Sequence, residues 1–141
     1  MTLRQQPRSR SSGPRRDTGA VSLEIAILAP ALLLVVFTIV QTGLWFYARN
    51  LAHAAAQEGV TAAAGFGARP DAGTSRAKAF LAQQAGDSLT RTVVSSAGST
   101  ATQVRIEVTG VSLSVLPGVN GLAVTESVTA PVERFTTDST P

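Results

Sequence analysis

Apolar residues run from Ile25 to Ala48 without a charge, and the only polar interruptions are Thr38, Gln41 and Thr42. This run is 24 residues long, and a helix needs about 20 to cross the hydrocarbon core of a bilayer. It predicts one membrane span. Pro30 falls inside the run, where it removes a backbone donor and can kink the helix, a defect that bilayer helices tolerate when neighbouring groups compensate. Trp45, Phe46 and Tyr47 cluster at its downstream end, where amphipathic rings favour the headgroup layer, and Arg49 closes the span. A secretory signal peptide also joins basic residues to an apolar run, and Ala52-His53-Ala54 offers a small-x-small site. Signal-peptide cores are only about 7 to 15 residues, so the length favours a retained anchor.

Beyond Arg49 the stretch from Asn50 to Ala64 keeps helix-forming alanines, with Gly59 the one weak point. The helix is therefore expected to leave the membrane and continue to Ala64, roughly 65 Å from Val21 at about 1.5 Å per residue. Gly65, Gly67 and Pro70 end it. Asp71 to Gly73 reads as a turn, and Thr74 as the cap of a short helix whose apolar face is Ala77, Phe80, Leu81 and Ala85, stopped by Gly86. The pattern then becomes β-branched. Thr90 to Ser96 is a first strand; Val104, Ile106 and Val108 alternate with Arg105 and Glu107 in a second, which Val111 to Leu116 extends. Asn120-Gly121 is a turn signal before a last strand from Val124 to Val132. The predicted fold is α+β: a single long N-terminal transmembrane helix, then a small domain of one short helix covering about three antiparallel strands. The segments are a disordered basic leader (1–19), the helix with its Ala-rich extension (20–66), the small domain (67–135) and a polar tail (136–141).

The net charge of +3 and pI near 10.6 raise the possibility of nucleic-acid binding. The placement of the charges removes it. Arg4, Arg8, Arg10, Arg15 and Arg16 against Asp17 give residues 1–19 a net +4, which leaves −1 for everything after them. By the positive-inside rule the arginine-rich N-terminus is cytoplasmic and the C-terminal domain extracytoplasmic in the cell membrane. With no cysteine and a single histidine, His53, the chain offers no thiolate metal site, no thiol nucleophile and no His cluster. No positioned base accompanies any Ser or Thr, so no catalytic residue, metal or cofactor is expected, and the chain is read as a non-enzyme.

Gly19-Ala20-Val21-Ser22-Leu23-Glu24 stands directly before the span. A small residue followed, after four uncharged ones, by a glutamate resembles the type IV prepilin processing pattern. That resemblance implies cleavage between Gly19 and Ala20 by a membrane-embedded prepilin peptidase on the cytoplasmic side. Glycine suits a protease subsite that needs backbone access. The new α-ammonium on Ala20 would then meet the carboxylate of Glu24 on a neighbouring helix and set the register of packed subunits. The other reading makes Glu24 an interfacial acid that reaches water.

The wider sequence is similar to the TadE-like family. Leu23-Glu24-Ile25-Ala26-Ile27-Leu28-Ala29-Pro30 resembles its opening VEFALVLP motif, with Leu23, Glu24, Ala26 and Pro30 at its marked positions. Gln41-Thr42-Gly43 takes the place of its Glu-Phe-Gly segment, and Ala55-Ala56-Gln57-Glu58-Gly59 resembles its AAREGAR segment. Gln41 departs from the family acid, and Val60-Thr61 from the Ala-Arg pair; the likeness covers roughly residues 19–64. It implies a pseudopilin, minor pilin or accessory of the tight-adherence (Flp-type) pilus and secretion machinery, with other pilin-like or pilus-platform helices as partners beside the bilayer. The competing reading is a membrane-anchored binding module whose helix is only a tether.

Ala55, Gly59 and Ala63 recur at a spacing of four, which either lets another helix approach closely or marks an Ala-rich helix with no partner. Glu58 is either a solvated acid or paired with Arg49 or Arg69 of a neighbouring chain, with solvation favoured. His53 reads as an interfacial polar residue rather than a ligand. Arg105 and Glu107, on one strand face, are expected to make a modest surface pair.

Overall fold

The computed structural model describes residues 17–65, 67–116 and 118–133, with side chains in the first helix from Ser22 onward. The basic leader before Asp17 and the tail from Thr136 lie outside the described residues, as does the predicted disorder of both. Helix α1 spans Asp17–Ala64, α2 spans Pro70–Gln84, and three strands follow: β1 (Leu89–Ser95), β2 (Gln103–Ser112) and β3 (Ala123–Pro131). The architecture is the α+β arrangement predicted. The chain divides between Val36 and Phe37 into two compact units, so α1 contributes to both.

In the first unit the described residues are helical and their apolar side chains lie open. Leu23, Ile25, Ile27 and Leu32 are each more than half exposed. The helix runs through Pro30 unbroken, and from Ser22 it is long and apolar enough to cross a membrane. It begins at Asp17, ahead of the predicted boundary at residue 20.

The second unit is a helix-backed antiparallel meander in the order β1-β2-β3. Val104, Ile106 and Val108 are buried on one face of β2, as the alternation predicts, and Val124 of β3 joins them. Against this face lie Ala48, Leu51, Ala52, Ala55, Ala56, Val60 and Ala63 of α1, Ala77 and Leu81 of α2, and Ala85 at the α2 C-cap, in one core. The cover is thus shared between two helices, where the sequence pattern assigned it to the short one. Alanines supply the α1 side because they let the helix axis lie close to the sheet, while Ile106 and its neighbours supply the bulk.

α2 starts four residues before the predicted cap. Pro70 occupies its first turn, where a missing N–H costs nothing, and Asp71 there complements the helix dipole. Thr74 does not cap; its hydroxyl donates to the Asp71 carbonyl (3.0 Å). Gly86 does end the helix, at φ +48°, which a glycine reaches without a Cβ penalty. The β2–β3 connection also differs from expectation. Its tight turn is closed by Val119 N–H donating to the Leu116 carbonyl (3.2 Å), so Asn120-Gly121 follows the turn instead of forming it. The predicted extension of β2 to Leu116 stops at Ser112, whose N–H is taken by the Leu122 carbonyl (2.9 Å).

Candidate functional site

The residues singled out by sequence fall into two groups along α1. Gly19 and Ala20 belong to its first turn, and their surroundings lie outside the described side chains. Glu24 is exposed, as are Leu23, Ala26 and Pro30 around it. The N-terminal motif is therefore an open helical surface, apolar except for one carboxylate at its start. Gly43 is likewise open, with nothing within 4 Å of the place a Cβ would take.

The downstream group serves the chain's own domain. Gln41 donates from Nε2 to the Leu113 carbonyl (3.0 Å) and accepts from Val115 N–H (3.2 Å), so one side-chain amide satisfies both a donor and an acceptor of the β2–β3 loop. Trp45 donates from its indole N–H to the Ala123 carbonyl (3.2 Å). One turn further, Arg49 lies over the Trp45 ring (5.7 Å) and pairs through Nε with the Glu126 carboxylate. His53 Nδ1 stands 3.5 Å from the other Glu126 oxygen, and its Nε2 lies 3.1 Å from Gln57.

The Glu58 side chain stays 43 % exposed and takes an ion-pair partner within the chain. Both Nε (3.0 Å) and Nη2 (2.8 Å) of Arg76 donate to one of its oxygens, tying α1 to α2. Beside this pair the two helices meet at glycines. A Cβ on Gly59 would stand 2.8 Å from the Gly73 carbonyl oxygen, and one on Gly73 would stand 2.6 Å from that of Gly59. Ala55, Gly59 and Ala63 are all buried within the chain's own core, and at Gly59 and Ala63 the helix that comes close is α2, through Gly73 and Ala77. Arg105 and Glu107 do pair, at 2.8 Å. Among the described residues no group of three or more His, Asp or Glu side chains could hold a metal ion.

Sequence reasoning missed the Arg49–Glu126–His53 cluster, although a signal was available. Glu126 alternates with Val124 and Val128, which places an acid on the inward face of β3, and such a group needs a partner. Its side chain is only 15 % exposed, against 50 % for Arg49. Glu126→Gln keeps the shape and removes the charge. It should lower the denaturant midpoint of the domain by the equivalent of about 1 kcal/mol, and the difference should shrink at high salt.

Residues 19–61 match the family model described as TadE-like protein. No curated protein and no solved structure matches the chain. The TadE-like segment takes in the start of α1, Glu24, Gln41, and the Glu58-Gly59 pair, and ends at Thr61. α2 and the whole sheet lie outside it. A TadE-like segment carried on one N-terminal apolar helix suggests a membrane anchor in a Tad pilus setting.

Proposed function

We propose that this chain is a minor pilin, pseudopilin or accessory structural component of a tight-adherence (Flp-type) pilus assembly and secretion machinery. The N-terminus is cytoplasmic and the small domain extracytoplasmic, as the arginine distribution favours. Its role is structural and not enzymatic. The observation that carries this reading is the TadE-like match lying over a helix whose apolar side chains are exposed and interrupted by the Glu24 carboxylate. A lone carboxylate facing hydrocarbon is costly, and a cation supplied by an adjacent helix would offset that cost.

The alternative, an anchored binding module, gains from one feature: the Ala55, Gly59 and Ala63 stripe is spent on the chain's own domain. Partner contacts through α1 then have to use the upstream apolar surface. Cysteine crosslinking separates the two readings, because the chain has no cysteine of its own. Leu33→Cys and Ile39→Cys, in cells carrying the Tad machinery, should give discrete adducts with pilin-like or platform membrane proteins. Adding Glu24→Ala should lower those adducts about tenfold, or ~1.4 kcal/mol, while leaving membrane content unchanged because loss of the charge eases insertion. Absence of discrete adducts at both sites, with normal function of the Glu24→Ala variant, would establish the tether. Positions 55 and 63, being buried, cannot report on partners.

A further inference from the structure

We infer that the β2–β3 loop is a second membrane contact, seated in the interfacial layer of the bilayer beside the point where α1 leaves it. This rests on α1 being a bilayer anchor. From Val108 to Thr125 the chain carries no charge, and Leu113, Val115, Val119 and Leu122 are exposed by 37 % to 54 %. Four large apolar side chains open to water at one loop are unusual for so small a domain.

The position of the loop along α1 says what covers them. The first charged residue on α1 after its apolar run is Arg49, and the first on β3 after the loop is Glu126. These two are paired with each other. The boundary between charged and uncharged chain is therefore level on α1 and β3, with the loop on its apolar side, while β1 at the other edge of the sheet keeps Arg91 beyond that level, opposite the Thr109–Val111 stretch. Gln41 and Trp45, the residues that hold the loop, stand eight and four positions before Arg49, about 12 and 6 Å along a helix. Phe46 and Tyr47, half-exposed at the same level, are residue types that favour the headgroup layer. Whatever medium surrounds this part of α1 also surrounds the loop.

The polar bookkeeping of the loop fits such a site. Backbone groups that enter a low-dielectric layer need partners inside the protein. Gln41 supplies two, to the Leu113 carbonyl and Val115 N–H. The Ser112 hydroxyl accepts from Leu122 N–H (3.1 Å), and the Leu122 carbonyl accepts from Ser112 N–H. This also accounts for an amide at position 41 of an otherwise apolar run: in a helix facing only lipid it would be a cost, and here its donor and acceptor are both used.

The test uses the full-length chain in phosphatidylcholine–phosphatidylglycerol vesicles, with single cysteines carrying an environment-sensitive fluorophore and a fraction of the lipid spin-labelled near the top of its acyl chains. Val119→Cys and Leu122→Cys report on the loop, Leu33→Cys on the anchor, and Thr100→Cys on the β1–β2 connection. Quenching at 119 and 122 several-fold above that at 100, together with quenching at 33, is the expected result. Quenching at 33 with 119 and 122 no different from 100 overturns the loop contact and leaves the anchor intact. If 33 is not quenched, the anchor reading fails and takes this inference with it. If 119 and 122 are shielded from aqueous iodide yet not quenched by lipid, and the shielding falls as the protein is diluted in lipid, a protein partner covers the loop and the lipid contact is wrong.

Discussion

Gly59→Leu should collapse the small domain instead of merely weakening association between subunits. The Gly59 and Gly73 backbones approach so closely that a single Cβ on either would stand under 3 Å from the other's carbonyl oxygen. The obstacle is backbone, so no flexible side chain can yield, and Ile106 lies against the same spot (3.2 Å). Overpacking of this kind costs about 3 kcal/mol. A domain of this size holds only about 3–5 kcal/mol in reserve, so the variant should be largely unfolded outside the membrane. Denaturant titration of the protein in detergent micelles, with limited proteolysis as a second readout, should show loss of the cooperative transition. Gly59→Ala should show a smaller fall in midpoint, and Arg76→Ala, which removes the neighbouring Glu58 pair, a smaller one still. Membrane insertion should be normal in all three. An unchanged midpoint for Gly59→Leu would mean that α1 and α2 do not cross at this site, and the stripe would again be available to a partner subunit.

The same crossing marks the limit of what could be read from sequence. Periodicities were enough to place the long helix, its end at Ala64, the apolar face of α2 and the inward face of β2, because each is written in a run of residues of one period. The spacing of Ala55, Gly59 and Ala63 marks a place where a helix can come close, and α2 does so at Gly59. It carries no information about which helix comes, since Gly73 sits in a segment read as a turn and thus offered no helical partner within the chain. Pro70 and Asp71 were the available correction, being a favoured opening pair for a helix. The role of Gln41 was illegible for a different reason. A lone amide in an apolar run looks like a tolerated interruption until the loop it satisfies, more than seventy residues later, is brought beside it. The Arg49–Glu126 pair is equally non-local. In each case the local pattern dictates an element, and the specific contact depends on topology.

The processing of the leader should be all-or-none, and it decides the finer functional reading. In cells with an active prepilin peptidase, the protein recovered from membranes should begin at Ala20, and Gly19→Leu should leave the full-length chain. The Gly19–Ala20 bond lies in the first turn of α1. First-turn N–H groups have no intrahelical partners, and glycine disfavours the helix by about 1 kcal/mol relative to alanine, so a protease can open this bond at little cost. Leucine at position 19 would both stiffen the turn and place a side chain where the peptidase subsite requires bare backbone. Removal of residues 1–19 also discards a net charge of +4, which, on the proposed orientation, would hold the N-terminus at the anionic headgroups of the cytoplasmic leaflet. What remains is a helix whose new ammonium and Arg49 balance Glu24 and Glu58, a near-neutral element able to leave the bilayer edge and pack among like helices. An unprocessed chain keeps its basic anchor and has no such freedom. Intact mass and N-terminal sequencing read the difference directly. If Met1 or Thr2 is the only N-terminus found beside an active peptidase, the pseudopilin assignment falls. The TadE-like match of residues 19–61 would then describe a permanently anchored accessory, and the Glu24 carboxylate would need a partner other than a new ammonium at Ala20.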